Sequence, residues 1–213
     1  KLIFYALMLA SRYVSDPEVI DVLVSAGAEV DGWSPDMSSE FKEMILKDKP
    51  PLLRQVFEQI LVQRYSLKMT PLMFASMSNE HEEIVAALID AGAQVNLRND
   101  NGMSPLTFAS SLNPNPKIIS ILNSEGGNIN VRNQAGQTLL HAACILNPSP
   151  SVIQLLLDLD IKVNSKDTNG ITPIILGAGY NTNPMIIEVL IRAGSDVNEL
   201  AMLGADGEFG SLN

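Results

Sequence analysis

The chain has 213 residues, a length compatible with one domain or two, and its 46% hydrophobic content is sufficient to build a core. Its formal net charge of −10 argues against a phosphate backbone as the partner, because nucleic-acid-binding proteins present basic surfaces. A single cysteine excludes an internal disulfide, and no run of about 18 apolar residues is present, so we expect no membrane-spanning helix.

The first segment, residues 1–33, is predicted to form one unit of two helices. Its apolar opening has the outline of a secretion signal, with one basic residue, Lys1, before an apolar run. It fits better as a repeat unit, because Tyr5 to Ala10 falls in phase with a segment that recurs later and Asp31 falls where Asn96 does. We therefore favour a cytoplasmic location slightly, and an exported form that has lost an upstream signal is the alternative.

The second segment, residues 34–65, keeps the recurring pattern only weakly. It has no closing motif and no finger glycine, yet helices are predicted at about 39–47 and 51–64, with Pro50 and Pro51 at their junction. We interpret the segment as a degenerate second repeat. An insertion that leaves the stack is the alternative.

From Thr70 onward one pattern returns four times at a spacing of 34 residues. The repeated helix start reads T-P-L-M-F-A from Thr70, S-P-L-T-F-A from Ser104, T-L-L-H-A-A from Thr138 and T-P-I-I-L-G from Thr172. Each unit closes at an asparagine with the same spacing: Asn96, Asn130, Asn164 and Asn198. A fixed period of this length predicts a solenoid, in which neighbouring units stack because no unit can bury a core by itself.

Each regular unit is predicted to contain two helices joined by a short turn. Nine residues after each helix start stands an asparagine, which we expect to adopt the left-handed conformation that ends a helix: Asn79, Asn113, Asn147 and Asn181. Good N-caps for the second helix follow two residues later in three units, each with a proline behind it: Asn115, Ser149 and Asn183. The second helix then carries spaced aliphatic residues for a buried face.

This pattern resembles the ankyrin repeat in its T-P-L-x-x-A helix start, its G-A-x-V-N close and its D/N-x-x-G finger at 99–102, 133–136 and 167–170. The resemblance implies a helix, a turn, an antiparallel helix and a projecting β-hairpin in each repeat. We therefore predict an all-α repeat solenoid, an ankyrin-type stack of about six units in one domain over residues 1–213. The expected repeats are approximately 1–33, 34–65, 66–99, 100–133, 134–167 and 168–204. Residues 199–213 are either a closing hairpin or the stub of a seventh repeat.

The candidates for catalysis and metal binding are few. His141 and Cys144 lie three residues apart on one predicted helix and could form a thiol nucleophile with its base. A structural role explains them better, because the resemblance makes His141 a hydrogen-bonding residue of the helix start and Cys144 stands at a small-residue position. The two histidines are far apart and have no cysteine cluster, and no glycine-rich nucleotide motif is present. We therefore predict no enzyme, no metal site and no cofactor.

The remaining candidate is a binding surface. The resemblance implies that partners meet the concave face, which the finger tips and the exposed ends of the first helices form. Carried onto this chain, the candidate finger residues are Met69, Asp100, Asn101, Met103, Gln134, Gln137, Thr168, Asn169 and Ile171. The candidate helix residues are Met77, Ser111, Leu112, Ile145, Leu146 and Tyr180.

Apolar residues form two rows among these positions, and such a track suits a peptide or a helix. The first row is Met69, Met103 and Ile171, and the second is Tyr13, Leu112, Leu146 and Tyr180. The alternative for the second row is burial in the core. The turn between the helices is one residue longer than in the 33-residue consensus of the family, and this would place these side chains inside the stack.

The predicted function is a protein–protein interaction module. We expect a monomer whose rigid, pre-ordered face binds another protein or peptide with little loss of entropy. We expect it to bind no nucleic acid. One alternative is a regulatory or targeting segment of a larger protein. A second alternative, of another class, is a thiol-dependent enzyme that uses Cys144 and His141.

Overall fold

The computed structural model describes residues 2–33 and 68–198, and within these ranges the chain forms ten α-helices and no β-strand. The helices, numbered in chain order, are α1 (Leu2–Tyr13), α2 (Glu18–Ser25), α3 (Pro71–Ser78), α4 (Glu82–Asp90), α5 (Pro105–Leu112), α6 (Pro116–Ser124), α7 (Leu139–Leu146), α8 (Pro150–Asp158), α9 (Pro173–Tyr180) and α10 (Pro184–Arg192). Among the described residues, no helix combines the length and the apolar character needed to cross a bilayer. The prediction of an all-α repeat stack is confirmed.

The odd-numbered helices, here called first helices, begin where the recurring Thr or Ser was expected to start them. The side chains of Thr70, Ser104 and Thr138 each accept a hydrogen bond from the backbone N–H three residues later. Such an N-cap satisfies one of the backbone donors that a helix start leaves unpaired. Proline at the first helical position of α3, α5 and α9 reinforces the start, since it lacks the N–H that would be unpaired there.

The asparagines at the ends of these helices do not adopt the predicted left-handed conformation. Asn113 has φ −88° and ψ 123°, and the other three residues are extended in the same way. Instead, the Asn113 Nδ2 donates to the Ser76 and Asn79 carbonyl oxygens of the preceding repeat, at 3.1 and 2.7 Å. Its Oδ1 accepts from the Asn115 backbone N–H at 3.0 Å. The prediction was wrong because these side chains bond across the repeat interface, and their own backbone needs no left-handed turn.

The same bonds recur at every regular interface. The Asn147 Nδ2 donates to the Ser110 and Asn113 oxygens at 2.9 and 2.8 Å, and the Asn181 Nδ2 donates to the Cys144 and Asn147 oxygens at 2.9 and 3.0 Å. We call Asn79, Asn113, Asn147 and Asn181 the asparagine ladder. Each asparagine side chain donates to two carbonyl groups at the end of the neighbouring first helix, so the ladder connects the repeats.

The first repeat packs directly against the repeat that starts at Thr70. Helix α1 contacts α3, and the Asn79 Nδ2 donates to the Ser11 and Val14 oxygens at 3.0 and 2.9 Å. The Asp31 Oδ1 accepts from the Gln94 backbone N–H at 3.0 Å, in the way that the Asn96 Oδ1 accepts from the Asn128 N–H. The position of Asp31 in phase with Asn96 is thus confirmed.

The segment between these two repeats was predicted to be a degenerate second repeat, with an insertion that leaves the stack as the alternative. Residues 34–65 lie outside the described residues. Both interpretations stay predictions, as does the role of residues 199–213, which also lie outside the described ranges.

The core runs along the stack in two clusters. The larger one is formed by aliphatic side chains of successive helix pairs, such as Leu72, Ile84 and Leu88. The smaller one, here called the Met–Phe cluster, contains Met8, Met69, Met73, Phe74, Met77 and Phe108. The two clusters together bury the apolar surface that no single repeat could bury alone.

Left-handed backbone occurs after the second helices, where Gly92, Gly126 and Gly194 have φ of 84–97°. In one repeat the equivalent residue is Asp160, with φ 64°. A side chain in this conformation brings Cβ close to the following carbonyl oxygen, whereas glycine has no such contact. The chain therefore carries a strained residue at a position that its neighbours give to glycine.

Asp160→Gly is expected to raise the free energy of unfolding by about 0.5–1 kcal/mol, because relief of the strain exceeds the added freedom of the unfolded chain. Urea denaturation measures the change. Asp158→Gly, in the last turn of α8, is the control and should lower stability, since glycine is a poor helix former. Equal shifts in the two variants would contradict the strain at residue 160.

Candidate functional site: the finger face

Each finger is a short turn held by the side chain of its first residue. The Asn99 Oδ1 accepts from the backbone N–H groups of Asn101 and Met103 at 3.1 and 3.0 Å. The Asp167 Oδ1 accepts in the same way from Asn169 and Ile171 at 2.8 and 3.0 Å. In each turn the backbone N–H of the first residue donates to the carbonyl oxygen of the fifth, and the fingers form no β-strand among the described residues. We define the fingers as residues 99–103, 133–137 and 167–171.

The second and third fingers are bonded to one another. The Thr168 backbone N–H and hydroxyl both donate to the Ala135 oxygen, at 2.9 and 3.0 Å. The Arg132 Nη1 donates to the Lys166 oxygen at 3.1 Å. Gly136 allows this approach, since a Cβ there would lie 3.2 Å from the Thr168 nitrogen. The fingers at 133–137 and 167–171 are therefore held together as one pre-ordered edge.

Most of the predicted finger residues are accessible. Asp100, Gln134, Thr168 and Asn169 are exposed, and Asn101, Met103, Gln137 and Ile171 are half-buried. Met69 does not join them, because it is only 1% exposed inside the Met–Phe cluster. It is therefore removed from the candidate surface.

The predicted helix residues divide in the same manner. Leu112, Ile145 and Leu146 are half-buried, and Tyr180 is 50% exposed. Met77 and Ser111 are buried instead. Met77 fills the Met–Phe cluster, and the Ser111 hydroxyl donates to the Thr107 oxygen at 2.7 Å, so neither side chain is presented to a partner.

The second apolar row is not tucked into the core. Tyr13 and Tyr180 are exposed at its two ends, and Leu112 and Leu146 keep part of their surface accessible. Leu112 and the finger residue Met103 both pack on the outside of the Met–Phe cluster, which places them on the same side of the stack. We call the fingers together with Leu112, Leu146 and Tyr180 the finger face.

Sequence reasoning missed three cations on this face. Arg98, Arg132 and Lys166 are exposed, and each directly precedes the first residue of a finger. Their 34-residue spacing was the available signal. A small cavity of about 20 Å³ between two fingers is lined by Met103, Arg132 and Gln137 among others, so cationic and apolar side chains adjoin there.

A wider groove of about 450 Å³ lies on the side of the second helices, between α6, α8 and α10. Its lining mixes Lys117, Ser151, Gln154 and Asp158 with a few apolar side chains. The Lys117 ammonium group already pairs with Glu82 at 2.5 Å. The groove has no concentration of one chemical type, in contrast to the finger face.

His141 connects one finger to the helix beneath it. The Thr138 backbone N–H donates to the His141 Nδ1 at 3.1 Å, so this nitrogen carries no proton. The Nε2–H then donates to the Ile171 oxygen at 3.0 Å. Burial lowers the pKa of His141 because it disfavours the charged imidazolium. The expected hydrogen-bonding role is confirmed, and it extends to the next repeat.

The stability of the protein should therefore depend on the charge of His141. Its pKa is lower in the folded state, so the unfolded chain binds more protons around the ordinary value of about 6.5. The contribution of His141 is fully present above that value, and it is lost as the pH falls toward the lowered pKa. Urea denaturation at neutral and mildly acidic pH measures this loss.

His141→Thr is the test variant, because Thr107 occupies the same position in the preceding repeat and completes a capping box with Ser104. We expect this variant to lose less stability on acidification than the parent protein does. His81→Gln, which removes an exposed imidazole, is the control and should keep the pH response of the parent. An unchanged response in His141→Thr would assign the acid sensitivity to other groups.

Cys144 is a fully buried residue of α7, and burial raises the pKa of its thiol. Both ring nitrogens of His141 are already bonded, to Thr138 and to Ile171. The two residues thus form no nucleophile–base pair, and the arrangement contradicts the thiol-dependent alternative. No group of three or more potential metal ligands occurs among the described residues.

Comparison with known families agrees with the repeat pattern. A family model described as "Ankyrin repeats (3 copies)" matches residues 49–133 and 109–201. None of the curated proteins matches the chain significantly. The matched residues cover more than half of the sequence and include all four regular repeats. The chain therefore belongs to the ankyrin-repeat family.

Proposed function

We propose that this ankyrin-repeat chain binds another protein or peptide on its finger face. Ankyrin repeats are in general protein–protein interaction modules, and the family match supports that class of function. The observation that supports the choice of face is its accessible apolar row, Leu112, Leu146 and Tyr180. This row lies beside the fingers 133–137 and 167–171, which are bonded to each other. A pre-ordered face loses little conformational entropy on docking.

The proposal has three further parts. The chain acts as a monomer, it binds no nucleic acid and it is not an enzyme. The net charge of −10 supports the second part, because it repels a polyphosphate at long range. The burial of Cys144, the chain's single cysteine, supports the third.

The test compares two glutamate variants of matched exposure in the last described repeat. Tyr180 lies on the finger face and Ile191 on the second helix, and each is 50% exposed. The immobilised proteins are used to capture partners from an extract of the source organism, and quantitative mass spectrometry compares the retained proteins. We expect Tyr180→Glu to lose proteins that the parent and Ile191→Glu retain.

Leu112→Glu extends the test to the middle of the face. Circular dichroism should show that each variant keeps its helical content before its capture is compared. Retention of the same proteins by Tyr180→Glu and Leu112→Glu as by the parent would exclude the finger face. Equal loss in Ile191→Glu would assign binding to a different surface or to general charge.

A further inference from the structure

The charges of the described residues are distributed unevenly between the two sides of the stack. On the finger side the exposed cations are Lys68, Arg98, Arg132 and Lys166. Asp100 is the one exposed acid among residues 98–112, 132–146 and 166–180, and it pairs with Lys68 at 3.5 Å. The finger side is therefore cationic in a chain whose net charge is −10.

The other acid in these stretches, Asp167, adds little to the surface. It is 8% exposed, and its Oδ1 is bonded to the backbone of its own finger. The first helices α3, α5, α7 and α9 contain no aspartate, glutamate, lysine or arginine. No acidic side chain of these helices thus offsets the cations of the fingers.

Most other acids of the regular repeats lie on the second helices and the loops that follow them: Glu82, Glu83, Asp90, Glu125, Asp158, Asp160, Glu188 and Asp196. Glu80 lies in the turn before α4, and the cations on this side, Lys117, Lys162 and Arg192, are fewer than the acids. Clusters of one sign raise the local concentration of oppositely charged groups and speed their encounter. The two sides of the stack should therefore differ in the partners that they attract.

The cations adjoin accessible apolar side chains. Arg132 and Met103 line the same small cavity, and Lys166 directly precedes the finger that ends at Ile171. We propose that the partner segment is an acidic peptide with interspersed apolar side chains. Its carboxylates pair with Arg98, Arg132 and Lys166, and its apolar residues contact Met103, Leu112 and Ile171. This inference rests on the proposed function.

A peptide fits this surface better than a nucleic acid does. The three cations are separated by a whole repeat each and alternate with apolar positions, whereas a polyphosphate requires a dense and continuous basic track. Carboxylates on a peptide can be spaced to match the repeats. Arginine suits such pairing because its planar guanidinium group donates two parallel hydrogen bonds to a carboxylate.

The test selects peptides from a random library displayed on phage, with the immobilised protein as bait. We expect aspartate and glutamate to be enriched and lysine and arginine to be depleted among the retained sequences. Fluorescence polarisation then measures the affinity of a retained peptide, in labelled synthetic form, for the parent and for two double variants. Oligothymidylate, measured in parallel, is the nucleic-acid probe.

The double variants are Arg98→Glu with Lys166→Glu on the finger side, and Lys162→Glu with Arg192→Glu elsewhere. All four residues are exposed, and both pairs change the net charge equally. We expect the first pair to weaken peptide binding by about tenfold or more, and the second pair to change it by less than about threefold. Arg132 is left intact because it bonds the neighbouring finger.

The outcomes separate this inference from the proposed function. Retained peptides without acidic enrichment, or equal effects of the two double variants, would overturn the inference that the partner is acidic. The finger face would still be supported as the binding site if Leu112→Glu abolished binding. Peptides that bind Leu112→Glu as tightly as the parent would overturn both. Tighter binding of oligothymidylate than of any retained peptide would indicate that the partner is a nucleic acid and would overturn the inference of a peptide.

Discussion

Asn147→Ala is expected to lower the free energy of unfolding by about 2–4 kcal/mol, because it leaves buried polar groups without partners. Asn147 is 0% exposed, and its Nδ2 satisfies the carbonyl oxygens of Ser110 and Asn113 in the preceding repeat. Its Oδ1 also accepts from the Ser149 backbone N–H at 2.9 Å, just before α8 begins. Urea denaturation followed by circular dichroism measures the loss.

Two controls identify the source of this effect. Asn130→Ala removes an exposed asparagine with the same 34-residue spacing and should change stability by less than about 0.5 kcal/mol. Asn147→Asp keeps the acceptor for Ser149 and removes the two donors, so it should be nearly as damaging as alanine. An aspartate variant with the stability of the parent would show that the bonds across the repeat interface contribute little.

Met69→Ala is expected to cost about 2–5 kcal/mol, the usual range for truncating a buried methionine. Met69 is 1% exposed and packs in the Met–Phe cluster, which contains residues of α1, α3 and α5. Truncation leaves a cavity that its neighbours fill only in part. The unfolding midpoint in urea should fall without loss of the helical signal of the folded state.

The matched control is Met185→Ala, since Met185 is 42% exposed on α10. It should change stability by less than about 0.5 kcal/mol. The pair also tests the removal of Met69 from the candidate surface. A stable Met69→Ala variant with weakened partner capture would restore Met69 to the binding site.

Helix starts and finger turns were predictable because their causes are local. Thr70 caps the N–H of Met73 three residues away, and the side chain of Asn99 holds the turn that ends at Met103. Such contacts are complete within one repeat, so spacing and residue type are sufficient to indicate them. The period of 34 residues then implies the stack, since one repeat cannot bury its own apolar face.

The burial of individual candidates was not predictable in this way. Met69 and Met103 occupy equivalent positions in consecutive repeats, yet one is buried and the other is half-buried. The difference lies in the neighbours, because Met69 contributes to the Met–Phe cluster while Met103 packs on its outside. Those neighbours come from other repeats, and sequence spacing within one repeat does not specify them.

The amino-acid sequence by itself determined the family, the period, the helix starts and the finger turns, all of which depend on residues a few positions apart. The tertiary structure alone decided which asparagine atoms meet which carbonyl groups, and that the first repeat touches the repeat starting at Thr70. It also decided that the Arg132 side chain reaches the Lys166 carbonyl oxygen of the next repeat. The physical reason is common to all three: these contacts join residues from different repeats, and only the packing of the repeats brings their atoms within bonding distance.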